Sequence, residues 1–460
     1  MKFNPIQKMS VVLDLAGSKR NLGTLAWSGS ERRAYFEYAA EFLAAPLLIS
    51  PFHMRTNPGL IAAPRDPFDG LHGLFNDSLP DGWGRLLLDR RLQRAGIDYH
   101  LLTPLDRLSV VGKTGMGALA YIPDLPDDHR QLAEDTDLDW FVDQVDLVQA
   151  EMDIADIDTL QCAQGGSAGA RPKIMIGFNK TADSFILDYG QEMEAGAEHW
   201  MVKARSAADA AEIGVEEKAY SLMSRAAGLE MAETRIFETK KGNRLFATKR
   251  FDRTPAGRLH MHTASGILNA SHREVSLNYE QLHKLTLMMT RDSSEVLRMF
   301  RNMVFNVYAR NRDDHAKNHA FLMKGDGRWT LSPAYDLTFS SGPGGEHSAD
   351  VAGEGRNPSM QHLLTVSRGA SISDQNAKEV IEQVRAAIGR WPQFAEKAGL
   401  SKSRTTELDR ILNDRKPPQT LRRHDDRNDF VVSNPLRSRR PISSDDDADY
   451  NAGGGFSPKR

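Results

Sequence analysis

Strands come first in this chain and helices second, and that order restricts the possible folds more than any other feature. Between about residues 160 and 255 the apolar residues fall in short runs at 174–178, 184–190, 199–203 and 245–252, separated by polar or glycine-bearing stretches. Such runs are the mark of buried strands. One helix interrupts the block: Val215, Ala219, Leu222, Met223 and Ala226 share a face at helical spacing, and Gly228 ends it. From about residue 280 the period lengthens. Val296, Leu297, Phe300, Met303, Val304 and Val307 form an apolar stripe behind Ser293-Ser294-Glu295, which reads as a capped helix start. Val380, Ile381, Val384 and Ile388 predict a second helix over 374–388. A strand-rich unit followed by a helical one is the layout of a two-lobed nucleotide-binding fold, though other folds share it.

The stripe runs into Asp313-Asp314-His315-Ala316-Lys317-Asn318. Phosphoryl transfer needs a carboxylate to orient the attacking hydroxyl and take its proton, oxygen ligands for Mg²⁺, and a cation on the moving charge. Asp313 and Asn318 are five positions apart, the spacing of a kinase catalytic loop in which the Asp is the base and the Asn holds metal. Lys317 is the candidate cation. Two short apolar runs around Lys324-Gly325-Asp326-Gly327-Arg328 predict a hairpin, which returns the chain to its start and sets Asp336 beside Asn318 as a second Mg²⁺ ligand. His315 and His319 are four apart, as on a zinc-binding helix, but the segment ends in a strand and no third ligand stands near.

The glycine-rich stretch Gly165-Gly166-Ser167-Ala168-Gly169 precedes a strand, as in a kinase lid, whereas a helix follows a P-loop. Gly166, Ser167, Ala168 and Gly169 are therefore ATP-binding candidates, with backbone N–H groups free to approach phosphate. Lys203, at a strand end, is a candidate for the α/β-phosphates. Glu217 on the next helix could orient it, with Glu216 as a competitor. Lys249 and Phe251 fall where a hinge to the second lobe would offer backbone hydrogen bonds and an apolar ring to adenine. Gly112-Lys113-Thr114 imitates the end of a Walker A motif, but Arg107 occupies the place of its first glycine.

The flanks are less informative. Residues 8–125 alternate apolar runs with Gly and Pro and read as an α+β unit, with a loop at 75–84 leading into a basic helix at 85–95. Residues 126–158 are acidic, poorly patterned and expected to bridge. From about 414 the chain is rich in Arg, Asp, Ser, Asn, Pro and Gly, too polar to offset the entropy of ordering, and is expected to be a disordered tail. With 59 basic and 62 acidic residues, the whole chain carries no electrostatic footprint for nucleic acid or an anionic membrane. A single cysteine, Cys162, allows no internal disulfide and suits a reducing compartment. No stretch has the form of a leader or a membrane span, so the expected location is cytoplasmic.

Taken together these motifs resemble the HipA-type serine/threonine kinases, toxin halves of bacterial toxin–antitoxin pairs. The likeness covers roughly residues 8–410. It rests on the loop at 75–82, on Gly169-Ala170-Arg171-Pro172-Lys173, Lys203, Arg250-Phe251-Asp252-Arg253, the 313–318 segment and Tyr335-Asp336. The resemblance implies an α+β, two-lobed, protein-kinase-like fold: an N-terminal subdomain over 1–127, a strand-rich nucleotide lobe over 128–255, a mainly helical catalytic lobe over 256–412 and a tail over 413–460. It implies ATP and Mg²⁺ as cofactors, with Asp313 as base, Asn318 and Asp336 on the metal, and Lys203 on the phosphates. Its implied partners are a small helix-turn-helix, HipB-like antitoxin, a protein substrate in translation such as an aminoacyl-tRNA synthetase, and DNA only through the antitoxin. Relatives often autophosphorylate a loop serine. Gly166 holds that place here and Ser167 follows, the one hydroxyl available for it. The alternatives are a small-molecule kinase of related fold and a non-catalytic, antitoxin-binding co-repressor.

Overall fold

A computed structural model of the chain describes residues 5–413 apart from 95, 98–100, 124–135, 153–154, 168, 192, 195 and 272–276. Ala168 of the glycine-rich loop, and the tail beyond Asn413, lie outside the described residues.

The first sheet joins β1 (Lys8–Leu15), β2 (Ser18–Ser28), β3 (Arg33–Tyr38), β4 (Leu60–Ala62) and β5 (Leu119–Ile122) in the antiparallel order β4-β3-β2-β1-β5. Alternation explains β1: Met9, Val11, Leu13 and Leu15 are buried on one face. Short helices α1 (Ala40–Leu43) and α2 (Gly73–Asn76) and the longer α3 (Gly82–Arg94) and α4 (Pro104–Val111) complete the unit. Helix α3 starts three residues before the expected position, at Gly82, and the expected loop contains α2. The sheet's buried face shares one apolar core with the helical lobe at the other end of the chain. Phe36, Phe42 and Phe75 are fully buried there, and such side chains contribute ~1.5–3 kcal/mol each.

The second sheet contains β6 (Lys173–Asn179), β7 (Ser184–Leu187), β8 (Ala197–Lys203), β9 (Thr234–Glu238) and β10 (Arg244–Lys249), antiparallel in the order β7-β6-β8-β10-β9. Edge strand β9 was not expected. The acidic stretch expected to bridge contains α5 (Leu138–Gln149), and α6 (Ile157–Gln164) follows it. Leu138, Phe141, Val145 and Val148 recur at helical spacing and bury against the sheet, while Asp143 turns out to Lys241. Helix α7 (Ile213–Ala226) sends Val215, Ala219, Tyr220 and Met223 instead into the core of the helical lobe.

Between the lobes, β11 (Arg253–Thr254) pairs with β12 (Gly257–Arg258), and β13 (His260–Thr263) leads into α8 (Ala264–Leu268). Strand β14 (Leu277–Asn278) runs parallel to β17 (Ala349–Asp350). The helical lobe consists of α9 (Tyr279–Thr290), α10 (Ser293–Tyr308), α11 (Met360–Gly369), α12 (Asp374–Ile388), α13 (Trp391–Ala398) and α14 (Lys402–Asn413). Helix α12 has the expected limits. The cap of α10 is Asp292, whose carboxylate accepts from Ser294 N at 2.8 Å. The expected hairpin is β15 (Ala320–Met323) with β16 (Trp329–Leu331), and β13 pairs with its outer side. The whole is an α+β, two-lobed, kinase-like architecture with an N-terminal α+β subdomain. No helix among the described residues is long and apolar enough to cross a membrane.

Candidate active site

A cavity of about 690 Å³ opens where the units meet. Lys203 enters it from the end of β8. Its ammonium lies 3.0 Å from Glu217 Oε2 and also bonds the Asp336 carboxylate. Glu217 reaches it because successive helix residues are turned by about 100°. On α7, Glu217 faces the cavity while Glu216, one position earlier, faces outward to Arg404 at 2.8 Å. The choice between the two glutamates is thereby decided. Arg171 completes the cluster, its guanidinium bonding Glu217 and, at 3.0 Å, Asp209. Burial works to lower the Lys203 pKa, but the Asp336 and Glu217 carboxylates outweigh it and hold the ammonium above the usual lysine range. Lys203, and after it Lys173, draw the Asp336 carboxyl far below its ordinary value despite burial.

Asp336 adopts φ +56°, in the left-handed region where Asp is tolerated better than most residues. The neighbouring Tyr335 hydroxyl donates to Lys317 O at 2.5 Å, tying the two segments together. Opposite them the 313–318 segment is fixed by its second aspartate. Asp314 is buried and accepts from Tyr279 OH and His347 Nδ1, both at 2.8 Å, and from Ser348 N at 2.9 Å. With Asp314 anchored inward, Asp313 faces the cavity mouth with 56% of its side chain exposed. Partial burial raises its pKa, against the pull of His315, whose Nε2 lies 3.8 Å away. Asn318 donates through Nδ2 to Asp313 O at 2.6 Å, which leaves its carboxamide oxygen as the donor for a cation.

The glycine-rich loop is held by the N-terminal subdomain. Gly169 N donates to Asp81 Oδ1, and Trp83 N donates to Gly169 O at 3.2 Å. Gly82 sits at φ +44° between them, where a Cβ would come within 2.6 Å of Ala170 Cα. Asp81 also accepts from Lys317 Nζ at 2.8 Å, so one carboxylate joins the loop to the candidate cation. Ser167 lines the cavity, yet its hydroxyl is turned in to Gln164, donating to the backbone oxygen at 3.1 Å. Gly166 packs beneath, at φ +66° against Val111 and Ser78.

Asp313, Lys317, Asn318, Asp336, Lys203, Ser167, Gly169, Lys249 and Phe251 thus all face one cavity. At the hinge, Lys249 Nζ pairs with Glu198 at 2.6 Å and the Phe251 ring lies 5.6 Å from that of Tyr335. The N–H groups of Lys249 and Arg250 donate to Glu233 O and His199 O, so backbone hydrogen bonds to a base would have to come from the other groups of the hinge. Asp81, Arg171 and Asp209 were not anticipated as site residues. Asp81 stood in the sequence within a Pro-Asp-Gly turn of the 75–82 loop, a signal that could have marked it.

Residues 13–122 match the family model of the HipA N-terminal domain, and residues 165–391 that of the HipA-like C-terminal domain. The chain belongs to the HipA family. The HipA of the Shewanella oneidensis HipA, HipB and operator DNA complex superposes on it with a TM-score of 0.61, over 87% of this chain and 95% of that one, at 16% identity; the likeness is one of fold. The proinflammatory kinase CtkA of Helicobacter pylori aligns over 48% of this chain and 86% of its own, with 14% identity and a TM-score of 0.34. Y4dM of Sinorhizobium fredii, provisionally named a kinase, is 28% identical over 139 residues. That match spans 27% of this chain and about a third, 34%, of the relative's length.

The HipA family's kinase-like fold raises the question of metal. The Asp313 and Asp336 carboxylates and the Asn318 carboxamide oxygen, which face the cavity, are hard oxygens of the kind Mg²⁺ takes; the His315 imidazole also lines the cavity, with Nε2 3.8 Å from Asp313. Those oxygens fit the ion.

Proposed function

We propose that this HipA-family chain is an ATP- and Mg²⁺-dependent serine/threonine protein kinase acting as the toxin of a toxin–antitoxin pair. One observation carries the reading: the Lys203–Glu217 ion pair and the Asp313, Asn318 and Asp336 side chains, supplied by separate segments, face the same cavity. Lys203, oriented by Glu217, binds the α/β-phosphates of the nucleotide. Asn318 and Asp336 would hold Mg²⁺, which supplies neutralisation of phosphate charge. Asp313 orients the substrate hydroxyl and accepts its proton, a task suited to its raised pKa. Lys317 sits where it can meet the moving charge. The glycine-rich loop, including Gly166, Ser167, Ala168 and Gly169, covers the phosphates, and Lys249 and Phe251 border the base.

The partner is a small helix-turn-helix, HipB-like antitoxin, through which DNA is reached. Support for it comes from the family and from the Shewanella complex, whose HipA is held with HipB and operator DNA. The substrate is a cytoplasmic component of translation such as an aminoacyl-tRNA synthetase. Incubating the chain with γ-labelled ATP, Mg²⁺ and bacterial lysate is expected to label serine or threonine of a discrete protein, and Asp313→Asn to abolish the label. Equal labelling by both proteins would remove the kinase reading. Transfer to small alcohols alone would replace it with a small-molecule kinase.

A further inference from the structure

Helix α7 carries Glu217 toward the cavity on one face and Glu216 away from it on another, and what holds the outer face lies near the end of the described chain. Glu216 is 1% exposed. Its Oε2 receives two charge-assisted bonds from Arg404 of α14, from Nε at 2.9 Å and Nη2 at 2.8 Å, both on the one oxygen. Its other oxygen accepts from Thr338 Oγ1 at 3.4 Å, two residues beyond Asp336. Burial raises the Glu216 pKa even against Arg404, so without that guanidinium the carboxylate would be costly to keep charged. Two further contacts fasten the same helix. Tyr220 and Trp391 of α13 meet edge to face at 5.2 Å, and Glu212, at the start of α7, accepts from Ser401 N at 3.2 Å. Most of α13 and all of α14 lie past residue 391, where the match to the HipA-like C-terminal domain ends.

We infer that Arg404 is a positioning residue for phosphoryl transfer: through Glu216 it fixes the rotation of α7, and so keeps Glu217 on Lys203 and the segment after Asp336 in register. The inference rests on the kinase reading of the Lys203–Glu217 pair. A helix that rotates by one residue exchanges the two adjacent glutamates, because their directions differ by about 100°. Two glutamates side by side, one on each partner, leave a single rotation in which both buried carboxylates are paired. Arg171 favours the same rotation from inside, through its own bond to Glu217. Helix α14 therefore acts on the nucleotide site without touching it. Whatever displaces α14 from α7 lowers activity.

The test uses the full chain, with ATP turnover, binding of a fluorescent ATP analogue and thermal melting measured together. Arg404→Ala is expected to raise KM for ATP and lower kcat, each by about tenfold, the scale of one lost charge-assisted contact, at temperatures well below its melting transition. Arg404→Lys, which keeps the charge but not the paired guanidinium donors, recovers part of both. In a Lys203→Met background, Arg404→Ala adds no further loss of nucleotide affinity, because both changes act through the same pair. If Arg404→Ala does not melt cooperatively, Glu216→Gln combined with Arg404→Gln replaces the charges by an amide pair and carries the same comparison. Unaltered kcat and KM in Arg404→Ala, or an additive loss of affinity with Lys203→Met, would overturn the inference. Wild type that binds the analogue but never turns over ATP would instead remove the kinase reading, and the affinity comparison would still decide the role of Arg404.

Discussion

Glu217→Gln is the sharpest single perturbation of this site. Glu217 is 3% exposed and takes bonds from two cations, Lys203 at 3.0 Å and Arg171. Glutamine keeps the shape but offers one acceptor where there were two, and it turns an NH₂ group toward a donor. The loss is therefore about one charge-assisted hydrogen bond, ~1.5–3 kcal/mol. Released from Glu217, Lys203 settles on Asp336, the carboxylate proposed for the metal, so the loss falls on the transition state as well as on folding. Converted at 1.36 kcal/mol per factor of ten, kcat/KM for ATP drops by about 10- to 150-fold. Steady-state ATP turnover at saturating protein substrate, with thermal melting on the same preparations, separates the two effects. A variant that melts within a few degrees of wild type and loses no activity would refute the orienting role of Glu217. A variant that loses activity only in proportion to the unfolded fraction would refute it equally.

Asp313→Asn removes the base while leaving the nucleotide contacts in place; kcat is expected to fall by about 10²- to 10⁴-fold with ATP-analogue affinity unchanged, and a fall in affinity alone would contradict the assignment. Asp81→Asn keeps an acceptor for Gly169 N but leaves Lys317, 8% exposed, without its carboxylate. Urea unfolding should report a loss of about 3 kcal/mol, and no loss would show the pair to be dispensable. Asp188 tests pH dependence. Burial raises its carboxyl, but His199 and Arg250 outweigh this and hold it down to about 2. A carboxyl lowered on folding stabilises fully above its unfolded pKa near 3.8 and loses that contribution as pH falls toward 2. Asp188→Asn should therefore remove about 2 kcal/mol from the acid limb between those values, and an unchanged limb would disprove the linkage.

How much of this was legible in the sequence depended on whether the signal was local. The stripe of α10, the limits of α12 and the β15–β16 hairpin were each set by residues within one element, and each was found. Asp336 and Asn318, expected side by side from hairpin geometry, line the same cavity. Helix α5 was missed although Leu138, Phe141, Val145 and Val148 carry the right spacing, because its surrounding aspartates made the stretch look solvated. Asp143 has an exposed lysine partner in Lys241, a hundred residues away in sequence, that no window on the chain reveals. The same holds for Asp81 and Arg404. Each acts on a residue far along the chain, Lys317 and Glu216, and ion pairs of that kind have no local pattern. Which of two adjacent glutamates faces Lys203 was also beyond local reading, since it depends on a helix rotation fixed by α13 and α14.

The charges in the cavity carry one further step. Lys203 leans on Glu217 and Asp336, Arg171 on Glu217 and Asp209, Lys317 on Asp81. A site prepared to receive a triphosphate would be unstable with its cations bare, because a buried ammonium without a counter-charge costs several kcal/mol. On the proposed kinase reading the carboxylates would stand in for phosphate, and nucleotide entry would be an exchange: phosphate oxygens would replace carboxylate oxygens on Lys203 and free Asp336 as a ligand for a divalent cation. Exchange of this kind makes affinity the difference of two large electrostatic terms, so it should depend strongly on Mg²⁺ and weakly on Asp81, whose hold on Lys317 persists until the γ-phosphate moves. Isothermal titration of ATP with and without Mg²⁺, in wild type and in Asp336→Asn, measures that difference. If Asp336→Asn bound ATP equally with and without the ion while wild type required it, the exchange would be supported. If both required it alike, Asp336 would not be the ligand that nucleotide entry releases.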